Sequence, residues 1–125
     1  MEAHEPVAFV SLESEDEFIV SFFVTRRDDP SVGRSIILLR DRKWGHLLPE
    51  SERGVNVSDE MVPGEEEWHD NFLERIRVSQ AAVELKCTHF ERKLDLSRIE
   101  KSDLEAMKRL LKVMNFDNRF ELELA

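Results

Sequence analysis

Residues 17–40 read EFIVSFFVTRRDDPSVGRSIILLR. Phe18, Val20, Phe22 and Val24 alternate with the rest as the inward row of a strand, and Ile36 and Leu38 repeat the pattern beyond the turn cluster Asp28-Asp29-Pro30-Ser31-Val32-Gly33. An ordinary two-faced strand would put polar groups on the other side. Here Ile19 and Phe23, and then Ile37 and Leu39, occupy that side as well. Full burial of those four is worth roughly 6–12 kcal/mol in total. Both faces of this hairpin therefore ask for cover. Three arrangements supply it: the 65–73 segment, a sheet curled into a half barrel, or a second subunit.

Working outward, Val7 to Leu12 forms an earlier strand, and Val55 to Val57 a short one after the proline-bearing loop 44–54. Ile76 and Val78 begin another. Val83, Leu85 and Cys87 alternate with Glu84, Lys86 and Thr88; Phe90, Leu94 and Leu96 continue after a change of parity, which predicts a turn at Thr88-His89. A helix follows over 103–114. Leu104, Met107, Leu110, Leu111 and Met114 share one face, Ser102-Asp103-Leu104-Glu105 has the form of a capping box, and Asn115 is placed to end the helix in a left-handed conformation. Phe120-Glu121-Leu122-Glu123-Leu124 alternates as a last strand. The expectation is a single α+β domain, 1–125, with an antiparallel sheet of about six or seven strands, one C-terminal helix and a closing strand.

Composition narrows the functional classes. The 125 residues carry a net charge of −9, and residues 59–70 alone hold six acidic groups and no basic one. An acidic chain repels phosphate backbones, so nucleic-acid binding is not expected. No apolar run approaches the roughly 18 residues of a membrane helix, and the acidic start lacks the features of a secretory signal. One cysteine suits a reducing compartment, so the expected location is the cytoplasm. No cofactor is expected: the four glycines are isolated, and neither a phosphate loop nor a nucleophile elbow occurs.

Within the acidic run, GEEEWHDNF (64–72) has neither the alternating oxygen spacing of a calcium loop nor the thiols and imidazoles of a structural zinc site, so no metal is expected. A short helix or turn across 65–73 is expected, anchored by Trp68 and Phe72. The run reads better as a contact for a basic protein, steered by Asp59, Glu60, Glu65, Glu66, Glu67 and Asp70, with Trp68 as anchor. The alternative is a small-molecule pocket or small enzyme in the curved sheet, using Trp44 and His46 beside Arg40 and Arg42. Cys87 and His89 read as a buried inert thiol and a turn residue. The two-faced strands add the expectation of a homodimer.

The segments AFVSLESEDEFIVSFFV (8–24), SIILLR (35–40), LERIRVSQAAVELKC (73–87) and KLDLSRIEKSDLEAMKRLLKVM (93–114) together resemble small acidic immunity proteins of bacterial polymorphic-toxin systems. The strand after the helix departs from that pattern. The resemblance implies a non-enzymatic binder that blocks a toxin by covering it, and it transfers no functional residue.

Overall fold

The computed structural model describes residues 4–26, 28–29, 31–43, 45–60 and 71–124. Eight strands and one helix follow in the order β1 (Glu5–Glu13), β2 (Glu17–Thr25), β3 (Gly33–Asp41), β4 (Asn56–Asp59), β5 (Leu73–Val78), β6 (Ala82–Cys87), β7 (Glu91–Asp95), α1 (Lys101–Met114) and β8 (Glu121–Leu124). The fold is α+β, as the periodicity indicates. The sheet runs β4-β3-β2-β1-β7-β6-β5-β8 and is mixed rather than purely antiparallel, because β1 pairs parallel with β7 and β5 parallel with β8. Alternation marks a strand but carries no partner, so these two long-range pairings leave no local trace.

The sheet closes on itself. Asn56 bridges Phe72, the Val57 amide donates to the Asn71 carbonyl at 2.9 Å and the Leu73 amide to the Val55 carbonyl at 2.8 Å. Buried Asn71 pins this seam, its side-chain nitrogen donating to the Val57 carbonyl at 2.8 Å while its oxygen accepts from the His89 amide at 2.9 Å. A buried amide with both ends satisfied holds register where an apolar contact would slide. The ring β4-β3-β2-β1-β7-β6-β5 is thus a barrel, with β8 continuing beside the second half of β5. Curling, one of the three kinds of cover, encloses the inward rows of β2 and β3 and leaves Ile19, Phe23, Ile37 and Leu39 on the outer side.

The inward rows fill the barrel. Val20, Phe22, Ile36, Leu38, Ile76, Val83 and Leu94 are fully or almost fully buried and share one core with Met107, Leu111 and Met114 of α1. The turn at 88–89 is present, the Cys87 amide donating to the Phe90 carbonyl at 2.9 Å, and it keeps both apolar rows inside. Two details of the helix differ from the sequence pattern. It begins earlier, with extended Glu100 as its N-cap and no side-chain cap, so Ser102 already lies inside the first turn. Asn115 has φ −97, and the left-handed residue is Asn118. Asn115 instead brackets Phe120, donating to its carbonyl at 2.9 Å and accepting from its amide at 3.2 Å, which turns the chain into β8.

The helix C-terminus is held by Arg40, buried at the inner end of β3. Its guanidinium donates to the Met114 carbonyl at 2.8 Å and grips Asp117 at 2.7 and 2.6 Å, with Phe116 beneath it at 4.2 Å. A cation here meets the negative end of the helix dipole. The bond from Arg40, joined by Arg119, holds the Asp117 carboxyl down at about 2. Since the folded pKa lies below the ordinary 3.8, this contribution is present above pH 3.8 and is lost as pH falls toward 2. We expect Asp117→Asn to lower the melting temperature at neutral pH, with the gap to wild type closing between about pH 4 and pH 2. A gap that is constant across that range would mean that the carboxylate charge plays no part.

Candidate functional site

The outside of the barrel divides into two unlike halves. Over β5, β6 and β7 it is a lattice of charge. Arg77 reaches Glu123 at 2.5 Å and Glu84 at 3.6 Å, Lys93 lies 3.9 Å from Glu84, and Lys86 lies 3.9 Å from Glu74. Cross-strand pairs of this kind suit a wetted surface and contribute little individually.

Over β1 to β4 the outward rows mix large apolar side chains with serines and few charges. Strand register places Phe9 beside Phe23 and Ser35, then Ser11 beside Ser21, Ile37 and Ser58, then Glu13 beside Ile19, Leu39, Asn56 and finally Phe72. Phe9 is 55% exposed and stacks on Phe23 with centroids 5.0 Å apart. Gly33 makes room for that ring, since a Cβ there would lie 2.5 Å from Phe23 Cζ. Ile19, Phe23, Ile37 and Leu39 are half-buried and stay outside the core, because α1 sits on the inner side. Ile37 links Phe23 and Leu39 through a middle row that is otherwise serine, Ser11, Ser21 and Ser58.

At its Leu39–Phe72 end this face deepens into an open groove of about 530 Å3. Leu39, Asn56 and Phe72 form the floor. The segment of short 3-10 turns Gly45–Leu47 and Glu50–Glu52 supplies the wall, through Leu48, Ser51 and Glu52, and Asp41 completes the lining. Gly54 lets the wall approach, a Cβ there lying 3.2 Å from Phe72 Cδ1. Arg53 fixes the wall by donating to the Leu48 and His46 carbonyls at 2.8 and 3.0 Å, and Arg119 holds it from the far side through the Glu50 carbonyl at 2.8 Å.

Inside the barrel, near the start of β3, lies a buried ionic cluster. Asp59 is fully buried and accepts from Arg34 at 2.7 and 3.1 Å and from Arg92 at 3.0 Å, while Arg34 also meets Glu5 at 2.7 Å. Burial opposes the Arg34 charge, but the bonds to Asp59 and Glu5 more than offset it and push its pKa up. Arg92 additionally stacks over Phe90 at 4.2 Å. Among the described residues two carboxylates and two guanidiniums meet here.

These placements reorder the residues singled out in the sequence. Asp59 is a structural anion inside the fold and not a surface contact, because charge balance with two inward arginines draws it in. Glu60 stays exposed and accepts from the Ser35 amide at 3.1 Å. Glu65, Glu66, Glu67, Trp68 and Asp70 lie outside the described residues, as does Trp44; of the helix or turn expected across 65–73 only 71–73 is described, and there Phe72 bridges Asn56 and Leu73 begins β5.

The expected pocket of Arg40, Arg42 and His46 does not assemble. Arg40 is taken up by the helix terminus, Arg42 donates to the Ser14 carbonyl and lies 5.4 Å over Phe18, and His46 is exposed on the wall segment. The groove that does form adjoins that loop, and its charged lining among the described residues is Asp41 and Glu52. The surplus apolar residues of β2 and β3 pointed to this face; nothing local announced the groove, which needs β3, β4, β5 and the 45–54 segment together. Cys87 is buried, and burial pushes its thiol up to about 12, so it is a core residue. Among the described residues no group of three or more histidine, cysteine or acidic side chains is arranged to hold a metal ion, and no helix is long and apolar enough to cross a membrane.

Comparison with protein-family models, with curated proteins and with solved structures finds no significant match to this chain.

Removing the central anion should be costly. Asp59→Asn removes the fully buried carboxylate that faces two part-buried guanidiniums and is expected to destabilise by about 2 kcal/mol or more in urea unfolding. Glu60→Gln, one residue away on the surface, should cost less than about 1 kcal/mol. Equal, small losses in both would contradict the buried cluster.

Proposed function

We propose that this chain is a non-enzymatic, acidic protein-binding protein, of the inhibitor or immunity kind, that meets its partner through the outer face of β1 to β4. The observation that carries the reading is the pairing of Phe9, Phe23, Ile19, Ile37 and Leu39 in one apolar field on the side away from α1. The core does not use those side chains, and leaving them wet is unfavourable by several kcal/mol. Carboxylates lie around the field: Glu13, Glu17 and Asp41 toward one end and Glu60 toward the other. With the acidic run after β4 they favour a basic partner and would speed its approach.

A second copy of the chain is the other occupant that such a face would accept, and the homodimer expected from the sequence would form there. Pairing two copies sets carboxylates against carboxylates, so self-association would strengthen as salt screens them, whereas binding of a basic partner would weaken.

Ile37→p-benzoylphenylalanine puts a photo-cross-linker at the centre of the face, and Arg75→p-benzoylphenylalanine puts one on the charged half as control. In lysate of the protein's own host, the Ile37 position should give a discrete adduct with another protein that fades as salt rises from about 0.1 M to about 1 M, where the screening length falls from about 10 to about 3 Å. Adducts from Arg75 alone would refute the assignment of the face. Sedimentation of the purified protein decides the homodimer: a species near twice 14.7 kDa, growing with salt, assigns the face to a second copy.

A further inference from the structure

We infer that the stacked rings of Phe9 and Phe23 receive the guanidinium of an arginine carried by the bound partner, with the Glu60 carboxylate accepting from its edge. This inference rests on the protein-binding reading and names the chemistry that the partner brings. The backbone itself turns Phe9 outward. Alternation from buried Val7 would carry residue 9 into the core, but between Val7 and Phe9 strand β1 holds one residue more than β2, and the ring emerges on the outer side, 55% exposed. A bulge of this kind re-aims a side chain. Phe23, the cross-strand neighbour, lies nearly parallel to it, with 12° between the planes and centroids 5.0 Å apart. It rests over Gly33, which has no Cβ to oppose the ring. The two rings make a platform at one end of the outer face.

A carboxylate completes the same cross-strand row. Phe23 pairs with Ser35, and Glu60 follows, its amide donating to the Ser35 carbonyl at 3.2 Å and its carboxylate accepting from the Ser35 amide at 3.1 Å. That second bond fixes where the charge sits. At about 4.8 Å per strand, roughly 10 Å separates the Phe23 and Glu60 backbones. A guanidinium can lie flat on a ring and keep its N–H donors in plane for a carboxylate at the side, which an ammonium cannot do. The domain uses this combination twice for its own arginines. Arg40 lies 4.2 Å over Phe116 while gripping Asp117, and Arg92 lies 4.2 Å over Phe90 while donating to Asp59. Phe9, Phe23 and Glu60 present the ring and the carboxylate outward. An apolar side chain would use the rings alone, and an anion would be repelled by Glu60.

The test is a nuclear magnetic resonance titration of the full chain with acetyl-Gly-Arg-Gly-amide, and with the same tripeptide carrying citrulline or lysine for arginine. The arginine peptide should move the ring signals of Phe9 and Phe23 and the amide signal of Ser35, and its own δ-methylene signal should shift upfield under the ring current. Citrulline, which has nearly the same shape without the charge, should do neither, and lysine should bind more weakly. Phe9→Leu should weaken the arginine peptide roughly two- to fivefold, the size of an exposed ring–cation contact. Glu60→Gln, which keeps an oxygen for the Ser35 amide, should weaken it roughly twofold. No shifts at these rings, equal binding of citrulline or lysine, or unchanged binding to Phe9→Leu overturns the inference.

The Ile37 cross-link separates the two readings. An adduct that persists while the arginine peptide leaves Phe9 and Phe23 unmoved sinks the platform assignment alone. An arginine peptide that binds the rings where Ile37 yields no adduct sinks the protein-binding face, and the arginine then has no partner protein to carry it.

Discussion

Asp59 sits between Arg34 and Arg92, and the barrel is organised around that contact. In the sheet order, three strands separate β4 from β7, yet their side chains meet at 3.0 Å across the interior. Such a contact exists only when the sheet is strongly curled. A charge withdrawn from water costs several kcal/mol unless its partners are all in place. The cluster therefore favours the one curvature that brings Glu5 and Arg34 from one end of the hairpin layer to Asp59 and Arg92. Asn71 performs the neutral counterpart at the seam, where the Val57 carbonyl and the His89 amide fix which residues of β4 and β5 lie side by side.

Once the sheet is closed, every strand has an inside and an outside, and the chemistry follows that division. On β3 the inward row reads Arg34, Ile36, Leu38, Arg40, with a cation at each end and hydrocarbon between. One arginine serves the ionic cluster and the other the end of α1, so both of these inward cations are committed to folding. The outward row of the same strand begins Ser35, Ile37, Leu39, and its two apolar side chains lie outside the core. Its apolar members continue into Phe23 and Phe9 on one side and the groove on the other. The opposite half of the barrel carries its outward residues in ion pairs, so the two halves of the surface differ in kind.

Much of the architecture was legible in the chain. The face of α1, the turn at 88–89 and the alternation of β6 and β7 depend on neighbours within a few residues, and the side-chain pattern records them directly. The excess apolar residues of β2 and β3 were legible too, as a demand for cover. Which cover would come was not. The parallel pairings of β1 and β8, the burial of Asp59 and the position of the groove join residues dozens apart, and no local pattern encodes a partner at that distance. Asp59 illustrates the reason. Beside Glu60 and at the head of an acidic run it looks like solvated surface, and only the arrival of two arginines from β3 and β7 makes burial favourable.

The same contrast applies to the basic residues near the 44–54 loop. Their proximity in sequence suggested a cationic pocket, but strand parity sends Arg40 inward while Arg42 lies beyond the strand end, toward the β1–β2 loop. The sequence by itself determined the elements, the inward rows and the presence of two apolar faces on one hairpin, because periodicity of two or of 3.6 is a property of the chain alone. Only the tertiary structure decided which charges are structural, which apolar face remains outside, and where the groove beside it lies. Those outcomes depend on which distant groups share one small volume, where desolvation and charge balance act together.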